Sequence, residues 1–366
     1  MRHKICVYAI AKNEEKFARR WADSMSEADE IIVLDTGSTD DTVKILSSFP
    51  DIKVYSEVIS PWRFDTARNR SLELVPSDAD YCVCTDLDEV FRKGWREALE
   101  KTLEGSPHKV SYRYVWAVGE DGKENTVFNI EKIHTRQGFI WTHPVHEVLK
   151  YTGEGEPVTA FAENVCLLHY PDKDKSRAQY LNLLELSVKE APEDDRNVHY
   201  LGREYMYYKR YEEAIKMLKY HLTLNSAGWA DERCASMRYI ARCFGALKDT
   251  ENELNWLLKA CAEAPYLREP WVETAEYFYR RKNWYGVVTF ISKALEISTF
   301  RDTYISDISC RKEKPYDLLS IAYYYLGEIK KAAECGERAL RLSDGDERIA
   351  KNLKLYRSLL QDKSDL

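Results

Sequence analysis

The chain has 366 residues, which is too many for one ordinary domain and enough for two. With 44% hydrophobic and 31% charged residues, and only 15 glycines and 11 prolines, the composition excludes disordered, collagen-like and low-complexity proteins. The formal net charge is −7, and no strongly basic domain stands out in the sequence. The longest apolar runs are well short of the ~20 residues that a membrane span needs.

Residues 1–90 alternate between short apolar runs and amphipathic segments. We predict strands at 5–10, 30–34, 52–58 and 80–85, and helices at 14–25, 41–49 and 67–75. Short apolar runs between helices are typical of strands that are buried on both faces. The alternation therefore predicts an α/β domain with a mixed, mostly parallel sheet, whose ligands bind beyond the carboxyl ends of the strands.

Residues 108–170 carry more amphipathic runs, which predict strands at 110–118, 127–134, 139–141 and 165–169. Beyond residue 175 the pattern becomes wholly helical, and tyrosine becomes more frequent at the same point: seven lie in 1–175 and eighteen in 176–366. The sequence therefore predicts an α/β domain over 1–175 and an all-α domain over 176–366.

The helical half contains four degenerate segments of about 34 residues, the length of a tetratricopeptide unit. Small and aromatic residues recur in them, such as Leu201-Gly202 with Tyr205, Ile240-Ala241 with Phe244, and Ala275 with Phe278. We predict stacked helix pairs in which the aromatic side chains fill the core rather than bind a ligand. Residues 298–314, between the third and fourth segments, are predicted to form a loop or an extra helix.

The nine cysteines lie mostly inside apolar runs, which is typical of buried free thiols in a reducing compartment. Cys82 and Cys84 are separated by one residue, so they form no CxxC motif, and they alternate along a predicted strand. We expect a cytoplasmic protein with no membrane span.

Three acidic residues follow the strand at 80–85, in the run Thr85-Asp86-Leu87-Asp88-Glu89. Their mutual repulsion is tolerable beside a divalent cation, and oxygen ligands suit Mg2+ or Mn2+, which also bind phosphates. The alternative is an acidic turn that caps a helix starting at Phe91.

Further polar residues follow the other predicted strands. Asn13 follows the first strand, Asp35 closes the second, and Arg68 and Asn69 lie before the acidic run. Because a nucleotide would bind at this edge of a parallel sheet, Asp35 would accept from a base N–H or a ribose hydroxyl, and Arg68 would meet a phosphate. Each residue alone has a capping or salt-bridge alternative.

A second constellation is His143-Pro144-Val145-His146-Glu147. Two histidines beside a glutamate can supply a metal ligand, a general base, or both. His169 ends a predicted strand and is a further candidate ligand. Zinc is an alternative metal, but the neighbouring acidic run favours a hard cation.

These residues resemble, in type and order, the family 2 glycosyltransferases of the GT-A fold. The matching pieces cover about residues 3–170: Lys12-Asn13-Glu14-Glu15, Asp35-Thr36-Gly37-Ser38-Thr39-Asp40, Ala67-Arg68-Asn69, Asp86-Leu87-Asp88-Glu89 and Val145-His146-Glu147. The helical half is similar to the bacterial and phage subgroup in which tetratricopeptide repeats follow the GT-A domain, a subgroup that includes the sublancin-type peptide S-glycosyltransferases.

The resemblance implies an inverting sugar transferase that uses a nucleotide sugar, most often a UDP-sugar, with Mn2+ or Mg2+. Asp35 would bind the uracil, Arg68 would lie near the phosphates, Asp86 would approach the ribose, and Asp88 would hold the metal with His169. Glu147 or His146 would be the base. The implied nucleotide site comprises Ile10, Asn13, Glu14, Asp35, Ser38, Arg68 and Asp86.

The sequence leaves the acceptor open between a peptide or protein, a glycan, and hydroxymethylated DNA. A DNA acceptor would need a basic groove, to which Arg92, Lys93 and Arg96, or Arg280, Arg281 and Lys282, would contribute. The repeat surface would serve a large partner or self-association as a homodimer. A different class of function is a non-catalytic scaffold, in which the repeats bind peptides and the first domain only binds nucleotide.

Overall fold

The computed structural model describes residues 2–118, 124–172, 180–300, 303–343 and 345–362. Contacts divide the chain into two units, Met1–Ser187 and Val188–Leu366. The predicted domain boundary between residues 175 and 176 lies in 173–179, outside the described residues.

The first unit is an α/β domain built on a mixed sheet. Its strands are β1 (Ile5–Ala11), β2 (Glu30–Asp35), β3 (Ile52–Ser56), β4 (Tyr81–Thr85), β5 (Glu89–Phe91), β6 (Lys109–Val118), β7 (Glu124–Thr135), β8 (Phe139–Thr142), β9 (Val148–Tyr151) and β10 (Thr159–His169). Its helices are α1 (Glu15–Met25), α2 (Thr42–Leu46), α3 (Phe64–Glu73) and α4 (Trp95–Leu103), and α5 (Tyr180–Glu190) crosses the boundary between the units.

The described strands form an eight-stranded sheet in the order β3-β2-β1-β4-β7-β6-β10-β5, and β8 pairs with β9 in a separate hairpin. Strands β3, β2, β1 and β4 run parallel, as the strand–helix alternation predicts. Strand β7 runs antiparallel to both β4 and β6, and the short edge strand β5 runs antiparallel to β10. The mixed, mostly parallel sheet of the prediction is confirmed.

The sheet register brings three strand ends to one edge. Ala11 at the end of β1 pairs with Asp35 at the end of β2, and Ala9 pairs with Thr85 at the end of β4. Apolar side chains cover both faces of β1, with Val7 in one buried cluster and Tyr8 in another. The segments that leave these strands, at 12–14, 36–41 and 86–88, therefore start from one side of a rigid, buried platform.

Several elements differ from the sequence prediction. Residues Glu89–Phe91 form the strand β5 rather than the start of a helix, and the helix that follows begins at Trp95. Strand β10 begins at Thr159, earlier than predicted, and α3 begins at Phe64. Paired strands satisfy their backbone groups through a distant partner, which single-chain patterns do not reveal.

The second unit is wholly helical over its described residues. After α5 come α6 (Asp195–Tyr207), α7 (Tyr211–His221), α8 (Ala230–Ala246), α9 (Thr250–Glu263), α10 (Arg268–Arg280), α11 (Trp284–Glu296), α12 (Lys314–Tyr325), α13 (Ile329–Leu342) and α14 (Glu347–Asp362). Helices α6–α7, α8–α9, α10–α11 and α12–α13 pack as four pairs, which match the four predicted segments. Between α11 and α12 lies a short 3₁₀ turn, Ile308–Arg311.

Small residues allow the paired helices to approach. A Cβ atom on Gly202 would lie 2.6 Å from the Leu218 side chain of the neighbouring α7. Aromatic rings fill other gaps, as where Phe278 stacks on Phe290 with 5.2 Å between ring centroids. Of the helices that the structure describes, none has the length and apolar character needed to cross a membrane. All nine cysteines are free thiols, and eight of them are buried.

Candidate active site

The turns after β1 and β2 hold each other through polar side chains. Asp35 is 3% exposed, and its carboxylate accepts from the backbone N–H groups of Gly37 and Ser38, each at 3.2 Å. The Ser38 hydroxyl accepts from the Asn13 N–H at 2.9 Å, and the Asn13 side-chain oxygen accepts from the Thr39 N–H at 2.7 Å. Asn13 itself has a φ of 55°, which a side-chain amide tolerates well.

Two further predicted residues lie in the same region. Ile10 is half-buried on β1, where it pairs with Leu34 of β2. Glu14 is 8% exposed, and its N–H donates to the Thr42 hydroxyl at 2.7 Å. The predicted residues 10, 13, 14, 35 and 38 thus lie at the adjacent ends of β1 and β2 and in the turns that follow, which are bonded to each other.

A buried arginine joins two of the predicted carboxylates. Arg68 on α3 is 4% exposed, and it donates to Glu147, to Asp86 at 2.8 Å and to the Cys84 sulfur at 3.2 Å. Burial opposes the charge of Arg68, but the carboxylates outweigh it and raise the pKa of Arg68 well above its usual value. The structure therefore brings together three residues that the sequence predicted separately.

A second cation, which the sequence prediction missed, meets the same acidic run. Lys132 on β7 lies 3.2 Å from the Asp86 carboxylate and 3.1 Å from that of Glu89, and Tyr114 donates to Glu89 at 2.7 Å. Burial would raise the pKa of Asp86, but Arg68 and Lys132 outweigh it and hold that pKa well below its usual range. Burial raises the pKa of Glu89, which is 1% exposed.

The signal for Lys132 was its position in β7, two residues after Ile130, which packs against the core, and next to the buried Ile133. A lysine at such a position is rarely buried unless an acidic partner is present. The partner, however, lies on a different strand, so the sequence alone did not connect the two.

The Asp88 carboxylate faces His169, at the end of β10. Asp88 Oδ2 lies 3.4 Å from His169 Nε2, and His169 Nδ1 lies 3.0 Å from the Trp116 carbonyl oxygen. A carbonyl oxygen only accepts, so Nδ1 carries a proton and donates to it. Burial would lower the pKa of His169, but the hydrogen bond with Asp88 raises it above its usual value. Asp88 is 17% and His169 10% exposed at the side chain.

The loop at 143–147 connects β8 to β9 and is tied to α3. The Asn69 side chain pairs with the backbone of Trp141, donating to its carbonyl at 2.8 Å and accepting from its N–H at 2.8 Å. The Phe64 N–H also donates to the Pro144 carbonyl at 3.0 Å. His146 has a φ of 51°, and its ring lies 5.9 Å from the ring of Tyr180. The loop thus has a defined position beside Arg68.

The donor set at Asp88 and His169 fits a divalent cation. Two ligand atoms 3.4 Å apart can bind one ion, and a carboxylate with an imidazole suits Mn2+ or Mg2+ when phosphate oxygens complete the coordination. His169 also has the second hydrogen bond, to a backbone carbonyl, that fixes the ring of a metal-bound histidine.

Models of two known families match a part of each unit. Residues 6–149 match the model of Glycosyl transferase family 2, and residues 271–362 match that of the Prolyl 4-hydroxylase peptide-substrate-binding domain, which is TPR-like. The chain therefore carries a family 2 glycosyltransferase domain at its N-terminus and a TPR-like helical region after it, as predicted.

Among curated proteins, the SPbeta prophage-derived glycosyltransferase SunS of Bacillus subtilis (strain 168) is 28% identical over 222 residues, which are 57% of this chain and 51% of that protein. The lipopolysaccharide core biosynthesis glycosyltransferase LpsC of Rhizobium meliloti (strain 1021) is 30% identical over 113 residues, 30% of this chain and 40% of that protein. The chain spans about half the length of the curated relatives it matches.

Among solved structures, that of MamA is 16% identical, covers 50% of this chain and 99% of its own, and has a TM-score of 0.37. The APC/C hetero-tetramer Cut9-Hcn1 is 13% identical, covers 50% of this chain and 33% of its own, and has a TM-score of 0.40.

Proposed function

We propose that this glycosyltransferase moves a sugar from a UDP-sugar to a peptide or protein acceptor, with Mn2+ or Mg2+ at Asp88 and His169. The observation that carries the proposal is the pairing of Asp88 with His169, 3.4 Å apart, beside the edge of the sheet where β1, β2 and β4 end. Nucleotides bind at this edge of parallel sheets.

The nucleotide would lie on the turns after β1 and β2. Asp35 would accept from the uracil N–H, as its buried carboxylate is already oriented by Gly37 and Ser38. Ile10, Asn13, Glu14 and Ser38 would form the adjoining wall. Asp86 would accept from a ribose hydroxyl, because its side chain is 36% exposed while Arg68 and Lys132 keep it ionised.

The role we propose for Arg68 differs from the phosphate contact that the sequence predicts. Its guanidinium is buried, and its described hydrogen bonds go to Glu147, Asp86 and Cys84. We therefore assign it to hold the two carboxylates in place. The bound cation would supply the positive charge that stabilises the leaving diphosphate.

The chemistry would be a direct displacement with inversion. The acceptor's oxygen or sulfur attacks the anomeric carbon, the bond from that carbon to the diphosphate oxygen breaks, and UDP leaves with the electron pair. The acceptor's proton passes to Glu147, which Arg68 orients, with His146 of the same loop as the alternative base.

The match of residues 271–362 supports a peptide or protein acceptor, because that family is named for binding a peptide substrate. A glycan is the second candidate, favoured by the name of LpsC. The basic clusters considered for DNA are largely paired: Arg92 with Glu124, Arg96 with Asp29, and Arg280 and Arg281 with Glu253. These pairs weigh against hydroxymethylated DNA as the acceptor.

The test is metal-dependent turnover of UDP-sugars by the full chain. A panel of UDP-sugars is incubated with Mn2+ or Mg2+, hydrolysis is followed as UDP release, and peptide acceptors are then analysed by mass spectrometry. We expect turnover that EDTA abolishes and that Asp88→Asn lowers by about 100-fold or more. Asp51→Asn, an exposed turn carboxylate, is the matched control. No turnover of any UDP-sugar would reject the proposal in favour of a nucleotide-binding scaffold. Full activity in Asp88→Asn would reject the assignment of the metal to Asp88.

A further inference from the structure

Two histidines and a glutamate meet inside the helical unit, apart from the candidate active site. His199 lies on α6, His221 is the last residue of α7, and Glu232 lies in the first turn of α8. Both histidines are fully buried and Glu232 is 4% exposed. Each offers a ligand atom within 4.8 Å of the other two, and among the residues that the structure describes no other three such side chains come so close.

One serine orients both rings. Ser236 Oγ, one helical turn beyond Glu232 on α8, lies 2.8 Å from His199 Nδ1 and 3.0 Å from His221 Nδ1. A hydroxyl oxygen has two lone pairs and can accept from both Nδ1–H groups. That assignment leaves the Nε2 lone pair of each histidine available.

The two Nε2 atoms differ in their surroundings: that of His199 has no hydrogen-bond partner among the described residues, and that of His221 has the Glu232 carboxylate. A buried polar atom in the position of His199 Nε2, with no hydrogen bond to a described residue, lowers the stability of the fold. His221 Nε2 lies 3.2 Å from the Glu232 carboxylate. Two lone pairs would face each other there unless a proton or a cation lies between them.

The negative charge of the buried Glu232 carboxylate also favours a bound cation. His199 is fully buried in this cluster. Glu232 is buried beside it, and its second oxygen accepts from the Tyr304 hydroxyl. A buried carboxylate is costly unless a positive charge offsets it.

We propose that His199, His221 and Glu232 bind a Zn2+ ion through the two Nε2 atoms and a carboxylate oxygen. Two imidazoles and one carboxylate form a donor set that zinc prefers over Mg2+ or Ca2+. Ser236 and Tyr304 are placed as the outer hydrogen-bond partners that orient metal ligands. A water molecule would take the fourth position.

The ion would stabilise the helical unit, because its ligands come from three successive helices, α6, α7 and α8. Such a site would stabilise the repeats and would take no part in sugar transfer. Metal binding and the folded state would then be linked, as in other structural zinc sites.

The experiment measures zinc in the full chain carrying Asp88→Asn, so that the candidate active-site metal does not contribute. The protein is stripped with a chelator, reconstituted with Zn2+ alone and analysed by mass spectrometry for metal content and by X-ray absorption. We expect one zinc ion per chain, with two imidazole nitrogens at about 2.0–2.1 Å, and a Tm at least about 5 °C higher with zinc than without it.

The ligand variants are His199→Gln and Glu232→Gln, each expected to lose the zinc ion and its effect on Tm. The control is Glu253→Gln, a buried carboxylate of the same unit that pairs with Arg280 and Arg281. It should lower stability yet keep one zinc ion. The ligand variants can fail to fold. The X-ray absorption spectrum of the Asp88→Asn protein therefore tests the zinc assignment without them. Absence of zinc, a zinc shell without imidazole, or stoichiometric zinc in His199→Gln would overturn the assignment.

Discussion

The carboxylate of Asp88 lies 3.4 Å from Nε2 of His169, between the acidic turn after β4 and the last residue of β10. Both residues are fixed by the backbone, because the Tyr170 N–H donates to the Asp88 carbonyl at 2.8 Å and His169 Nδ1 donates to the Trp116 carbonyl at 3.0 Å. The lone pair of a neutral His169 therefore faces a carboxylate. Either a proton or a metal ion removes this repulsion, which is why we assign the pair to a cation.

The first prediction concerns metal affinity at this pair. His169→Ala should weaken Mn2+ binding about 10–100-fold, because one ligand is lost while the Asp88 carboxylate remains. Calorimetric titration of the chelator-treated protein with Mn2+ measures the change. His108→Ala is the control, since His108 accepts from Val158 beside the first residues of β10, away from its last residue. Equal Mn2+ affinity in His169→Ala and the parent protein would remove His169 from the site.

The second prediction concerns the coupling of Arg68 to Glu147. Arg68→Met should lower the free energy of unfolding by about 3 kcal/mol, because it leaves buried carboxylates without their positive partner. Glu147→Gln should cost less, and the two changes should not add, since each removes the same ion pair. Urea unfolding of the single and double variants measures the coupling. Additive effects would show that the two side chains act independently.

Glu147→Gln also separates the two candidate bases. If Glu147 takes the acceptor's proton, this variant should lose about 100-fold or more in kcat for transfer, while His146→Gln keeps most of its activity. The reverse ranking would assign the base to His146.

The third prediction concerns the tether between Asn69 and Trp141. Asn69→Ala removes both 2.8 Å hydrogen bonds that hold α3 to β8, the strand that leads into the 143–147 loop. Because the loop carries both candidate bases, kcat for transfer should fall about 10-fold or more, with little change in KM for the UDP-sugar. Asn164→Ala, at an exposed position of β10, is the matched control. A rise in KM with unchanged kcat would place the effect in donor binding instead.

Local patterns were sufficient for the parallel part of the sheet and for the helix pairs. Buried apolar runs such as 5–10 and 30–34 identify strands because both of their faces are covered, and Ala241 or Ala275 marks the helix contacts because larger side chains do not fit there. The strand order then placed Asn13, Asp35 and Asp86 at neighbouring strand ends, where sequence reasoning had expected them.

Long-range pairing accounts for what was missed. Glu89 reads as a helix cap in the sequence, but in the structure it pairs with His169 of β10 and lies 3.1 Å from Lys132. The sequence predicts that Arg68 binds a phosphate. The structure shows that Arg68 donates to Glu147, because the 143–147 loop lies beside it. The spacing of His199 and His221 along the chain matches no metal-binding motif. Their ligand atoms meet only because α6 and α7 pack side by side. Each partner lies on a different element, so spacing along the chain does not reveal it.

The last prediction concerns acid stability and depends on His134, which is fully buried on β7. His134 Nδ1 lies 2.8 Å from the Thr135 carbonyl and therefore donates to it, so Nε2 accepts from the Tyr8 hydroxyl at 2.9 Å. Tyr8 in turn accepts from the Trp141 indole at 2.8 Å. This chain of hydrogen bonds requires a neutral imidazole.

Burial lowers the pKa of His134 from its usual 6.5 to about 4 in the folded protein. Between these two values the unfolded chain binds a proton that the folded chain does not, so the free energy of unfolding should fall as the pH drops from 7 towards 4. The full loss from this one group is about 3 kcal/mol. Above the unfolded pKa both states are neutral, and the group gives no pH dependence there.

His134→Gln should remove this contribution because glutamine does not titrate. The variant should be less stable than the parent protein at pH 7, since the hydrogen bonds to Thr135 and Tyr8 are altered, but the difference should shrink as the pH approaches 4.5. Urea unfolding of both proteins at a series of pH values measures that difference, in which the other titrating groups cancel. If the difference in the free energy of unfolding stays constant across this pH range, the prediction is wrong. That result would mean that the folded and unfolded chains bind the His134 proton equally well, in conflict with the acceptor role of Nε2.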